Sequence, residues 1–348
     1  MPMAEKVINY KCPACTGPLR YDGKTGKLVC DYCGTFYDIA EFEAQSAASA
    51  AAGTGEGAGE NLKVYLCPDC GAELICEEST AASCCPYCGN AAVMPSQLQG
   101  EWKPEFIIPF KVSREEALEA LRSHYKQKKL LPRAFSEENH IQKIQGVYIP
   151  FWLYEGEVCA DLDYKATRSH SRRQGNYQVT TTEHFLLHRR GTVELTGVPA
   201  DASRTTPDAH MDSIEPFDYS AMVPFSMSYL PGFLANRFDV SEEECRKRII
   251  PRAEATVRSE LRDTCVGYET VTEAGGTVNT DGLKARFALL PVWLLSTRWK
   301  DENFLFAMNG QTGKLVGDLP VDKGLYWKQF ALTAAGVAAA IMSAALWR

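Results

Sequence analysis

Apolar positions change their spacing several times along this chain, and each spacing predicts an element. Ser113 reads as a helix N-cap, with Glu115 and Glu116 in the first turn, where carboxylates suit the helix dipole. Leu118, Leu121 and Tyr125 then recur at helical spacing, predicting a helix to about Leu131, ahead of Pro132. Alternating, β-branched runs follow at Val147–Leu153, Val158–Thr167, Tyr177–His188 and Thr192–Leu195, with a polar turn at Arg172–Asn176. Ser241 caps a second helix through roughly Asp263. Phe287–Lys300 and Asn303–Met308 read as strands ending at an Asn309-Gly310 turn. Ile108-Pro109-Phe110, a helix, then Tyr148–Leu153 is echoed by Val223-Pro224-Phe225, a helix, then Leu289–Leu294, an internal duplication.

The first hundred residues follow a different logic. Cys12-Pro13-Ala14-Cys15 is followed after fourteen residues by Cys30-Asp31-Tyr32-Cys33-Gly34. Cys67-Pro68-Asp69-Cys70-Gly71 is followed, again after fourteen, by Cys85-Pro86-Tyr87-Cys88-Gly89, at a constant offset of 55 residues. Zinc takes four soft ligands in a tetrahedron, and each C-x-x-C places two thiolates on one knuckle. The spacer is long enough for a returning hairpin, and Asp22-Gly23 and Thr25-Gly26 supply turn residues in the first copy. Two structural Zn²⁺ ions are therefore expected, one on Cys12, Cys15, Cys30 and Cys33, the other on Cys67, Cys70, Cys85 and Cys88. Four cysteines leave no open coordination position, which favours structure over catalysis. Cys76 and Cys84 fall outside the repeat, and Cys159, Cys245 and Cys265 read as small buried side chains.

The carboxyl end carries no charge from Phe330 to Trp347, eighteen residues flanked by Tyr326, Trp327, Lys323 and Lys328. Its length predicts one transmembrane helix, with the bulk of the protein on the cytoplasmic side of the cytoplasmic membrane. Gly336, Ala340 and Ala344 form a small-residue stripe suited to helix pairing in a homo-oligomer. The expected fold class is α+β: zinc ribbon 1 over 1–43, a flexible linker over 44–61, zinc ribbon 2 over 62–100, a mixed body rich in antiparallel strands over 101–322, and the anchor over 323–348.

Charge bears on partners. Residues 1–100 carry 6 Lys+Arg against 12 Asp+Glu, within a chain of net charge −7. Each zinc-tetrathiolate adds about −2, bringing this module to roughly −10, which disfavours nucleic acid and suits a basic or apolar protein patch. Thirteen cysteines without a leading secretory signal point to thiolate ligands rather than disulfides. No P-loop, dinucleotide glycine pattern or nucleophile elbow occurs. Gly310-Gln311-Thr312-Gly313-Lys314 has the wrong spacing for a phosphate loop, and His184 and His188 lack the full zincin signature. Asp201, Asp208, His210 and Asp212 read as a solvated loop. The chain is not expected to be an enzyme.

The paired ribbons, Ile108-Pro109-Phe110, Gly146–Trp152, Pro216-Phe217-Asp218-Tyr219, Leu290–Leu294 and Met308–Lys314 together resemble bacterial double-zinc-ribbon membrane proteins of the YdjG type, also described as TFIIB-type zinc ribbon-containing proteins. The resemblance implies a membrane-attached, non-catalytic scaffold or adaptor for a flotillin-like (SPFH) partner in a phage-shock-type envelope stress response. The alternative is a zinc-ribbon nucleic-acid-binding protein of the replication or transcription type.

Overall fold

The structure, a computed structural model, describes residues 8–47, 62–66, 73–77, 80–84, 91–93, 103–126, 128–132, 135, 141, 143–300 and 302–346. In chain order the strands are β1 (Ile8–Asn9), β2 (Leu19–Asp22), β3 (Lys27–Cys30), β4 (Phe36–Tyr37), β5 (Leu62–Leu66), β6 (Glu73–Glu77), β7 (Thr80–Cys84), β8 (Ala91–Val93), β9 (Phe106–Ile107), β10 (Gln145–Gln174), β11 (Tyr177–Asp201), β12 (Val223–Pro224), β13 (Leu234–Asn236), β14 (Thr270–Asn279), β15 (Lys284–Trp299), β16 (Glu302–Asn309) and β17 (Leu315–Gly317). The helices are α1 (Ile39–Ala47), α2 (Arg114–Lys126), α3 (Asp208–Ser213), α4 (Glu242–Asp263) and α5 (Lys323–Leu346).

The expected α+β class gives way to a mostly β architecture with a curled sheet. Among the described residues, twelve strands join one sheet along the path β1-β8-β7-β13-β10-β15-β16-β17, with β9, β11, β12 and β14 pairing beside it. The reason lies at Gly156. The runs read as two strands, Val147–Leu153 and Val158–Thr167, fuse into the 30-residue β10. Gly156 absorbs the break as a bulge at φ +139°, with the register to β11 shifting between Tyr154 and Gly156. A β-carbon there would stand 2.3 Å from the Gly282 carbonyl oxygen, so only glycine permits this approach.

The duplicated motifs have a geometric counterpart. β10 and β15 run antiparallel, and Ile149 stands opposite its own equivalent, Leu290. β9, immediately before Ile108-Pro109-Phe110, and β12, which opens Val223-Pro224-Phe225, also pair antiparallel. α2 buries Ala117, Leu118, Leu121 and Tyr125 against the core beside Phe287, Leu289 and Trp293. Its N-cap is a capping box: Ser113 N donates to Glu116 Oε2 at 2.8 Å, and Glu116 N returns a bond to Ser113 Oγ. α4 is capped by Ser241 and lays Ala253, Val257 and Leu261 over β10 and β11.

The expected transmembrane helix is overturned. α5 forms, yet among the described residues no helix is long and apolar enough to cross a membrane. Between Phe330 and Leu346, the Phe, Leu, Ile and Val residues are Phe330, Leu332, Val337, Ile341 and Leu346. Most of the rest is alanine, whose methyl offers little apolar surface. The run lacks charge without being strongly apolar. The single-pass anchor, and the cytoplasmic-membrane location that rested on it, fall together. α5 still exposes Trp327, Phe330, Leu332, Val337, Ile341 and Met342. The side chains of Ala340 and Ala344 lie outside the described residues, as does most of the linker at 44–61.

Candidate metal centre

The first ribbon is the three-stranded sheet β2-β3-β4, followed by α1. Its hairpin turns at 23–26. Asp22 Oδ2 accepts from Thr25 N at 3.2 Å and Thr25 Oγ1 at 2.7 Å, and Gly26 takes φ +69°. This turn returns β3 so that Cys30 lies opposite Leu19, and the two knuckles face each other. Each knuckle closes on its first cysteine: Thr16 N donates to Cys12 O at 2.8 Å, and Gly34 N to Cys30 O at 2.9 Å. Both donors are left-handed, Thr16 at φ +60° and Gly34 at +70°, so the first knuckle places a threonine where the second uses glycine.

The result is a cluster in which the Sγ atoms of Cys12, Cys15, Cys30 and Cys33 all lie within 4.8 Å of one another. Cys12 and Cys33 are 3.6 Å apart and Cys15 and Cys30 3.4 Å, too far for disulfides. A tetrahedron with zinc–sulfur bonds of about 2.3 Å has edges near ~3.8 Å, so the donor set and spacing fit Zn²⁺. Cys12 and Cys30 are buried, whereas Cys15 and Cys33 are exposed.

Side chains next to the sulfurs tune them. Burial raises the Cys12 thiol pKa, but the Tyr37 hydroxyl, 3.0 Å from its sulfur, and the backbone N–H groups of Cys15 and Ala14 outweigh this and hold it below the ordinary value. Cys33 is brought down to about 6, first by the Thr35 hydroxyl at 3.2 Å and then by the Thr35 N–H. At Cys15 the Gly17 N–H pulls downward, but neighbouring Cys30 and Cys33 prevail and push it up to about 12. Four sulfurs this close cannot all carry charge unaided, and a divalent cation relieves the repulsion. Tyr37 and Thr35 were not singled out as sulfur partners from sequence; the available signal was their position just after Cys33.

The second set, Cys67, Cys70, Cys85 and Cys88, lies outside the described residues. The strands around it are described. Cys76 stands opposite Lys63 in the β5–β6 pair and Cys84 opposite Ala91 in the β7–β8 pair. Of the cysteines read as buried, Cys245 and Cys265 are, but Cys159 is exposed, on the open side of β10 and 3.5 Å from Thr192 Oγ1.

Other candidate groups have structural partners. His184 and His188 share the open face of β11, about 13 Å apart at ~3.3 Å per residue, too far for one metal. His188 instead lies 3.0 Å from Asp163 and 3.4 Å from Asp161. Asp201, Asp208 and Asp212 gather around Arg248, while Arg252 takes Asp212 and Glu215. These carboxylates meet arginines of α4 rather than solvent alone. The Gly310–Lys314 stretch is a latch. Buried Asn309 donates to Ile214 O and Pro216 O and accepts from Gln311 N and Thr312 N. Gln311 exchanges two bonds with the Asp218 backbone.

Residues 11–41 match the Trm112p-like protein family, so the four-cysteine cluster sits in a Trm112p-like zinc-binding motif. The chain is 34% identical over 318 residues to the uncharacterized protein YdjG of Bacillus subtilis (strain 168), covering 91% of this chain and 92% of that one. No solved structure matches.

Proposed function

We propose, starting from the membership of this chain in the family of Bacillus subtilis YdjG, that it is a non-catalytic adaptor whose zinc ribbons present a surface to a protein partner. The observation that carries this reading is the closed set of four cysteines. It leaves zinc no vacant position for substrate, while the same ribbon exposes Tyr32 on its second knuckle and Phe36 on β4, at 78% and 53% of their full surface. A ribbon this small gains rigidity from its metal, and rigid exposed aromatics suit recognition. The 55-residue offset extends the proposal to a second Zn²⁺ on Cys67, Cys70, Cys85 and Cys88. The acidic balance of the ribbons favours a partner patch that is basic or apolar. The partner class implied by the resemblance, a flotillin-like (SPFH) protein acting in envelope stress, is our candidate. The exposed apolar side chains of α5 offer it a second contact.

A crosslinking pull-down with the tagged full chain tests this. Recovery of a flotillin-like protein, lost in Tyr32→Ala/Phe36→Ala, is the expected result. Recovery of replication or transcription proteins alone, with salt-sensitive retention on DNA, would overturn it in favour of nucleic-acid binding.

A further inference from the structure

The first ribbon is seated on the body. Tyr21 N donates to Pro231 O at 2.9 Å, and its ring meets Tyr229 edge-on at 5.2 Å. Glu43 of α1 accepts from the hydroxyls of Ser226 and Ser228. Gly23 comes so close to the body that a β-carbon would stand 2.2 Å from the Phe110 carbonyl oxygen. Cys12 and Cys30 share an apolar cluster with Tyr229 and Phe233, and Phe233 stacks on Phe110 at 4.1 Å.

This seat continues directly into β13. β13 pairs with β10, Val147 opposite Leu234, and with β7, Ala82 opposite Ala235. A second route starts at β1, just before Cys12. β1 pairs with β8, which pairs with β7. Both routes from the cysteine knuckles therefore end at the same β7–β8 strand pair.

We propose that the first four-cysteine site is a metal-operated clasp: zinc holds residues 226–236 and the paired strands β7 and β8 in place, and loss of zinc frees both and uncovers Tyr229 and Phe233. This rests on the reading of Cys12, Cys15, Cys30 and Cys33 as a zinc site. A ribbon with so small a core keeps its shape through its metal, so the face it presses on the seat is lost with the ion. The seat itself is a short 3₁₀ turn, Met227–Tyr229, whose Ser228 and N-cap Ser226 are tied to Glu43.

The test is hydrogen exchange on the full chain, comparing wild type with Cys15→Ser/Cys33→Ser, with zinc measured on both. These two ligands are exposed, so replacing them removes coordination without hollowing the core. The variant should carry one zinc fewer and exchange about tenfold faster or more at 226–236 and 80–84, with 158–166 unchanged. Loss of zinc with no change at 226–236 and 80–84 would overturn the clasp. So would acceleration spread evenly over the chain, 158–166 included. Equal zinc in the two proteins would overturn the metal-site reading beneath it. Glu43→Gln leaves every sulfur in place, and it should keep zinc yet speed exchange at 226–230. Unchanged exchange there would remove the seat as the point of transmission.

Discussion

At the residue scale, the zinc ligands depend on neighbours that never touch the metal. Tyr37 stands 3.0 Å from Cys12 Sγ, where its hydroxyl can donate to a thiolate and hold it in the ligand form. Tyr37→Phe should leave the ribbon folded and zinc-loaded but release the ion to a chelator about tenfold faster, as followed with a metallochromic dye. Asp201 shows the opposite electrostatics. It is 1% exposed, with Oδ2 unpaired, and burial raises its pKa to about 6 against the opposing pull of Arg248. Between its ordinary 3.8 and that value, the folded protein keeps a proton that the unfolded chain has released. Its contribution to stability therefore falls as pH rises from about 4 to about 6. Asp201→Asn should flatten the dependence of Tm on pH across that window. The four clustered cysteines of the first ribbon were legible because a metal imposes spacing on sequence. Tyr37 was not, because its role emerges only when β4 pairs with β3 and brings the hydroxyl onto the sulfur.

At the element scale, the 309–314 turn shows how a conspicuous motif can tie two distant segments together. Asn309 is fully buried; it joins the β16–β17 turn to Ile214 O and Pro216 O through two hydrogen bonds and accepts two more from Gln311 N and Thr312 N within the turn. Asn309→Ala would strand those carbonyl and amide groups and should cost about 3 kcal/mol in urea unfolding. An unchanged midpoint would show that the latch carries no stability. The turn was readable from Asn309-Gly310, but its target was not, because 214–218 is remote in sequence. α4 was legible from cap to end, since Ser241 and the apolar spacing agree. α5 was legible as a helix but misread as a membrane span, because absence of charge stood in for apolar content that alanine does not supply. β7 was not legible at all: its sequence, TAASC, carries almost no alternation, and only its pairing with β8 and β13 makes it a strand.

At the scale of the whole molecule, the mostly β body escaped the sequence reading because a bulge can continue a strand past the point where its local pattern stops. Gly156 does this in β10, and the fused strand then carries β11, β14 and β15 along its length. The ribbons likewise read as tethered modules, whereas β1, β7 and β8 are threaded into the large sheet. The first ribbon's fit on the body is tight at Gly23, so Gly23→Ala should destabilise the protein by about 2 kcal/mol through displaced packing, measured by thermal unfolding. All of this turns on whether four sulfurs hold an ion. Elemental analysis of purified full-length protein, beside a variant with Cys12, Cys15, Cys30 and Cys33 all changed to serine, decides it. The wild type should carry one more zinc per chain than the variant; equal zinc content in the two would contradict the account.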